Sequence, residues 1–366
     1  MEYLNFFASD ILLTVFFFVI GLELVEELKN GDLRDLKRAS LPALAAVGGV
    51  LVPSLLYISI VQISGISSEN LHGWAIPTAT DVAFSLMILS LFKNKLRPGV
   101  KLFLMVLAVV DDILGIVIIA LVYSTSIEPL GILLVLILST SWAVIIRQLE
   151  NIKSRSILLF LKILLLFLAG SIWLAIYKSG IHPTIAGVIL GLITPAVHNE
   201  KASIASTLID FLAPFSAKVI VPVFAIVSII VSAKEIFTDT SITTGQNAQS
   251  LAYNADLFVS SYDLFIVAFS VAFSLVVGKP IGILIFAWIG SHLTPLKLFH
   301  GLKVRNLVGV SLLGGIGFTV SFLIASLSFS NELLIAFARL GVLAGSFISA
   351  IIGYSFIHFS IKKMHR

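Results

Sequence analysis

The sequence predicts an all-α integral membrane protein with about eleven transmembrane helices, and three observations predict it. The 366 residues are 58% hydrophobic and only 12% charged, with a mean hydropathy of +1.08, whereas a soluble globular chain carries about 25% charged residues. The apolar residues run in stretches of about 20, the length at which a helix crosses a bilayer. They do not alternate with polar residues as the strands of an outer-membrane barrel would. Lysine and arginine, finally, gather in every second connection. This composition excludes a soluble enzyme, a disordered chain and a coiled coil. The absence of cysteine excludes disulfides and thiolate chemistry. The net charge of +4 is too small to suggest a nucleic-acid partner.

The eleven segments lie near 9–28, 40–61, 74–92, 101–123, 129–146, 156–176, 183–196, 204–232, 263–290, 306–328 and 332–358. The first could pass for the core of a signal peptide, but it lacks a basic leader and continues into GLELVEEL, so it reads as a retained span. Eighteen of the 24 basic residues fall in alternate connections, among them Arg34, Lys95, Arg147, Lys201, Arg305 and Lys362. The intervening connections hold only Lys178 and Lys234. Basic loops stay in the cytoplasm, so the N-terminus is expected outside, the C-terminus inside, and the whole chain 1–366 in one polytopic membrane domain. The long polar connection 233–262 falls on the outer side and has no mark of a separate domain.

A charge at the bilayer centre costs several kcal/mol or more, so each one calls for a partner or a task. The deep set is Asp81, Asp111, Asp112 and Lys279, while Asp10, Glu23, Lys162, Asp210, Lys218 and Arg339 lie nearer the ends or at uncertain depth. Asp111 and Asp112 stand mid-span in LAVVDDILG. Neighbours on a helix point about 100° apart, so one carboxylate can face a cavity while the other meets a basic partner. Their mutual repulsion is relieved by a proton or a metal cation. Lys279, in VVGKPIGI, is too deep to snorkel to an interface, and a buried Lys–Asp pair can carry a proton. The plain alternative for both is packing alone.

Two helices are expected to be interrupted. In AIPTATDVAF, Pro77 removes a backbone donor, and Thr78, Thr80 and Asp81 supply oxygens beside the break. In LLGGIGFTVSF, Gly314, Gly315 and Gly317 loosen the helix. Each break falls in the middle helix of a three-helix group, 40–123 and 263–358. The first group starts inside and the second outside, so they form inverted-topology repeats with one interrupted helix each. Such pairs mark the substrate site of secondary transporters. His182, in KSGIHPTIAG, sits at the outer start of a span and can titrate, although a satisfied interfacial histidine is the simpler reading. The Gly-x-x-x-Gly pairs at 187/191, 278/282 and 341/345 read as close-packing faces.

Together these motifs resemble the NhaA family of bacterial sodium/proton antiporters. GLE-x-x-x-EL (21–28), GWAIPTATDVAF (73–84), FLMVLAVVDDILG (103–115), KSGIHPTIAGVILG (178–191), VVGKPIGI (276–283) and GGIGFTVSFLIASLSF (314–329) carry the resemblance over almost the whole chain. Members of this family are among the examples behind the rule on interrupted repeats, so the rule adds no independent support. The resemblance implies a transporter and no enzyme, without cofactor, that exchanges cytoplasmic Na+ or Li+ for external H+ across the inner membrane. Sodium and pH homeostasis would be its task. Asp112 would bind the cation, Asp111 would add to the site and pair with Lys279 when the ion is absent, and Thr80 would contribute an oxygen. The two interrupted helices would cross at the midplane, where Asp81 would offset the positive helix ends and Lys279 the negative ones. His182, Glu23, Glu27 and Asp10 match residues tied to the pH response.

Some positions depart from the family. The chain begins at what resembles the family's second helix, and no segment matches the first helix or the extracellular hairpin through which members form homodimers. Val25 and Glu26 replace a basic pair between Glu23 and Glu27, and Ile209, Asp210 and Ala213 alter a face that is acidic and histidine-bearing elsewhere. Two alternatives stay open: a sodium-coupled organic-anion symporter, and an inactive truncated relative. An intramembrane aspartyl protease would need carboxylates from two helices sharing a proton, and here the adjacent pair is on one.

Overall fold

The computed structural model describes residues 6–34, 36–92, 98–124, 128–149, 154–196, 203–243, 260–293 and 304–362, together with 96 and 152. Fourteen α-helices follow in chain order: α1 Leu13–Lys29, α2 Leu36–Ser64, α3 Val82–Ser90, α4 Pro98–Val122, α5 Pro129–Gln148, α6 Arg155–Lys178, α7 Thr184–Leu192, α8 Ile204–Phe215, α9 Val221–Thr243, α10 Ser261–Phe273, α11 Lys279–Leu293, α12 Val304–Gly314, α13 Phe318–Ser328 and α14 Glu332–Lys362. The described residues contain no strand. The protein is an all-α membrane protein. Seven helical stretches are long and apolar enough to cross a bilayer, and α12 with α13, bent by 45° at their break, makes an eighth. Of the other expected spans, 9–28 is α1 behind a π-turn over Phe7–Leu12, 74–92 is divided, and 183–196 holds only the nine residues of α7. Length alone does not make these three into spans. Much of the basic connections, and residues 244–259 of the long polar one, lie outside the described residues.

Two widened turns have a common cause. The π-turns Ser216–Ile220 and Ser274–Gly278 end two residues before Pro222 and Pro280. Proline has no N–H for the carbonyl four residues back, and its ring crowds that carbonyl. The backbone opens by one residue, and the helix continues.

The chain divides into two compact units, one from Met1–Leu36 and Ile116–Val227, the other from Lys37–Gly115 and Ser228–Arg366. In the first, α1 lies against α7 at glycines. A Cβ on Gly187 would stand 2.1 Å from the Thr14 carbonyl, and one on Gly191 would stand 2.6 Å from the backbone of Gly21. A second layer buries Trp142, Ile146, Ile172 and Ile176 between α5 and α6. The other unit packs Phe103, Leu104 and Leu107 of α4 against Ile283, Val310, Leu313 and Ile357. α2 and α11 approach at Gly48 and Gly282. This second unit holds both interrupted helices, and most of the segments 40–123 and 263–358 fall within it.

Candidate functional site

The first interruption has three parts. A 3-10 segment runs over Ser68–Thr78 with Pro77 inside it. Ala79 and Asp81 are extended, and α3 follows. Asp81 is the N-cap of α3, its Oδ1 accepting from the Phe84 N–H at 3.2 Å. The second interruption lies at 315–317, between α12 and α13. Glycine is required at 315 by the approach of backbone: a Cβ there would stand 2.5 Å from the Leu275 carbonyl, while one on Gly317 would meet the Ser321 hydroxyl at 2.4 Å.

The two breaks are joined directly. The Asp81 N–H donates to the Ile316 carbonyl at 2.6 Å. Asp81 Oδ2 accepts from the Thr319 hydroxyl at 2.8 Å and from its N–H at 3.4 Å. One carboxylate therefore caps the N-terminal ends of both α3 and α13, where unpaired N–H groups leave partial positive charge. The Thr80 hydroxyl donates to the Gly314 carbonyl at 2.9 Å, at the negative end of α12. Gly317 carries no side chain to cap α13, and Ser346 of α14 supplies one, its Oγ accepting from the N–H groups of Gly317 and Phe318.

Asp111 and Asp112 lie in the middle of α4, 1% and 8% exposed. Lys279, the first residue of α11 beyond the π-turn, is fully buried. Its Nζ is 2.7 Å from Asp111 Oδ2 and also donates to the Thr78 carbonyl at the end of the 3-10 segment. Thr80 stands beside Asp111, and Asp111 Oδ1 accepts no hydrogen bond from the described residues. The site thus holds Asp111, Asp112, Lys279, Thr80 and Asp81 together, with Thr78 and Gly314 contributing backbone carbonyls. A buried ion pair is weak evidence for stability, because desolvation offsets its attraction. What it does provide is a carboxylate that can exchange one positive partner for another. The donors are hard oxygens suited to a small cation passing through. Among the described residues no three Asp, Glu or His side chains converge as a permanent metal site would need.

Other intramembrane charges sit elsewhere. Lys162, Asp210, Lys218 and Glu23 are exposed on the surface of their unit. Arg339 is buried on α14 and donates to Ser326 Oγ at 2.7 Å and Ser232 Oγ at 3.4 Å. In the first unit, Asp10 Oδ1 lies 3.7 Å from His182 Nε2, while His182 Nδ1 contacts Thr184 Oγ1 at 2.8 Å. Burial pushes the His182 imidazole down to about 4, so at neutral pH the Asp10 contact is polar and not an ion pair. Glu26 accepts from Ser203 Oγ and from the Asn30 amide, and Glu27 is half-buried on the same turn of α1. Sequence reasoning did not select Thr319, Ser321, Ser346 or Ser85. Hydroxyl residues in apolar runs are common, and only their position against a break sets these apart.

Residues 1–357 match the family model described as Na+/H+ antiporter 1. The chain belongs to the NhaA family of Na+/H+ antiporters. It is 39% identical to the Na(+)/H(+) antiporter NhaA of Bifidobacterium adolescentis over 95% of its own length and 74% of that relative. For the proteins of the same name from Citrobacter koseri and Proteus mirabilis the identities are 36% and 35%, over 82% and 83% of those relatives. The NhaA-like motifs at 73–84, 103–115, 276–283 and 314–329 are the segments that build the crossing.

Proposed function

We propose that the protein is a secondary antiporter that exchanges cytoplasmic Na+, or Li+, for external H+ in the bacterial inner membrane. The reading places eleven spans in the bilayer, the N-terminus outside and the C-terminus inside, with 40–123 and 263–358 as inverted repeats. The relatives carry the name of that activity. The single observation that supports it within this chain is the buried Lys279–Asp111 pair, 2.7 Å long, beside Asp112 at the crossing of two interrupted helices.

The chemistry is competition for one site. With no cation present, Lys279 neutralises Asp111. A dehydrated Na+ takes Asp112 as its principal carboxylate, with Asp111 and Thr80 adding oxygens, and displaces Lys279 from Asp111. Protons taken up from the opposite side restore the first state. The site opens to one side at a time, so the two occupants are exchanged. A sodium-coupled organic-anion symporter would need a further basic group for its anion, and Lys279 is already engaged by Asp111 and the Thr78 carbonyl.

The test is sodium-driven proton movement in everted membrane vesicles, followed by dequenching of a pH-sensitive dye. Asp112→Asn is expected to abolish the response to Na+ and Li+ while the protein still reaches the membrane. A response equal to that of the unaltered chain defeats the assignment.

A further inference from the structure

The two interrupted helices share a detail that lies outside the acid pair. Ser85 is the fourth residue of α3, and its hydroxyl donates to the Leu313 carbonyl, 3.0 Å away in the last turn of α12. Ser321 is the fourth residue of α13, and its hydroxyl donates to the Ile76 carbonyl, 2.7 Å away near the end of the 3-10 segment. Each outgoing half thus caps the terminal carbonyls of the incoming half of the other helix. Both hydroxyls are fully buried. The Leu313 carbonyl also accepts from the Ile316 N–H at 3.1 Å, so Ser85 takes the second lone pair of a carbonyl at a helix end, where a bilayer offers no water. With Thr80 on the Gly314 carbonyl and Lys279 on that of Thr78, four terminal carbonyls at the crossing have side-chain donors.

We propose that Ser85 and Ser321 are positioning residues, a reciprocal clasp that fixes the register of the two breaks and so holds Thr80 beside Asp111 and Asp81 across both breaks. Ser85 lies one helical turn after Asp81, and its acceptor Leu313 immediately precedes Gly314, which Thr80 grips. Slip at Ser85 therefore moves both ends of the Thr80 contact. On the other side, Ser321 lies two residues after Thr319, the donor to Asp81. Neither serine touches the acids or Lys279 in any contact given above, so each acts through the residues it holds. The consequence for transport rests on the antiport reading.

The experiment compares Ser85→Ala, Ser321→Ala and the double variant in the vesicle assay across a sodium titration. Each single change is expected to raise the apparent KM for Na+ about five-fold, the size of one net hydrogen bond, with the maximal rate within about two-fold. The double variant should exceed the product of the two, because both clasps hold one crossing. Unchanged KM with a lowered thermal midpoint overturns the proposal in favour of simple end-capping. Should the alanine variants fail to accumulate, Ser→Cys keeps the volume with a weak donor and should show the same rise in KM. A Cys variant with unaltered KM overturns the clasp, and Ser→Thr, which keeps the hydroxyl, should restore KM. If the unaltered chain moves no protons on sodium addition, the antiport reading fails by itself. The clasp is then judged by amide hydrogen exchange over 82–85 and 317–321, where faster exchange in the alanine variants supports it and unchanged exchange overturns it.

Discussion

Lys279→Met is the perturbation that most directly probes the site. Methionine keeps the length and apolar stem of the side chain, so the change removes a charge with little loss of packing. Lys279 and Asp111 are both fully buried as side chains and lie 2.7 Å apart. Loss of the ammonium leaves the Asp111 carboxylate without its counter-charge and the Thr78 carbonyl without its donor. Removing one member of a buried pair costs roughly 3–5 kcal/mol, because the other charge stays desolvated. For a chain of this size that corresponds to a fall of roughly 5–15 °C in the thermal midpoint. The assay is thermal unfolding of detergent-purified protein, with Asp111→Asn/Lys279→Met measured beside the single variant. The double variant removes both charges at once and should recover most of the loss, since replacing an entire buried pair by neutral groups is close to neutral. A single variant as stable as the parent, or a double variant no better than the single, refutes the argument that the pair is a mutual desolvation problem.

Two further outcomes follow from the first unit. Gly187→Val should abolish correct assembly, because even a Cβ at that position stands 2.1 Å from the Thr14 carbonyl and backbone cannot yield as a side-chain end can; size-exclusion behaviour after detergent extraction checks this, and a monodisperse variant counts against it. His182 should lower stability as the medium turns acid. Its folded value of about 4 is below the ordinary 6.5, so between those two values the unfolded chain binds a proton that the folded chain refuses. Folding is therefore weakened as pH falls from 6.5 towards 4, with no contribution above. Thermal midpoints of the parent and His182→Gln, taken across pH, should diverge only in that window, and a divergence centred at neutral or alkaline pH would contradict the burial argument.

How much of this was legible in the sequence depended on how costly each residue is inside a membrane. Asp111, Asp112 and Lys279 stand out in apolar runs because an intramembrane charge needs a reason. Pro77 and Gly314–Gly317 mark breaks for equally local causes. The residues alone did not say which acid takes Lys279; the family resemblance named Asp111, and Lys279 Nζ lies 2.7 Å from its Oδ2. Lys279 directly follows the π-turn Ser274–Gly278, which ends two residues before Pro280. The hydroxyls were hidden for the opposite reason. Ser85, Ser321, Thr319 and Ser346 cost little in any helix, where a serine can donate to its own preceding turn, and their choice of a distant carbonyl or N–H is fixed only by tertiary contact. Helix ends were less legible than spans: within segment 183–196 the helix runs over Thr184–Leu192, because periodicity does not reveal where a short helix stops.

The crossing also sets the electrostatics around Asp111 and Asp112. Four helix ends meet near the breaks, two positive and two negative, each equivalent to roughly half a charge. Asp81 satisfies both positive ends, through Phe84 on α3 and Thr319 on α13. The negative ends are met by Lys279 at Thr78, by Thr80 at Gly314 and by the serine hydroxyls. The helix ends at the breaks thus have partners in Asp81, Lys279, Thr80 and the serine hydroxyls. Were the ends left open, the acids would be drawn to the N–H groups and the lysine to the carbonyls, and a cation would have to compete with the scaffold for every donor. On the proposed antiport mechanism, capping the breaks internally would confine the competition to Asp111 and Asp112, with Lys279, protons and a small cation as alternative positive partners.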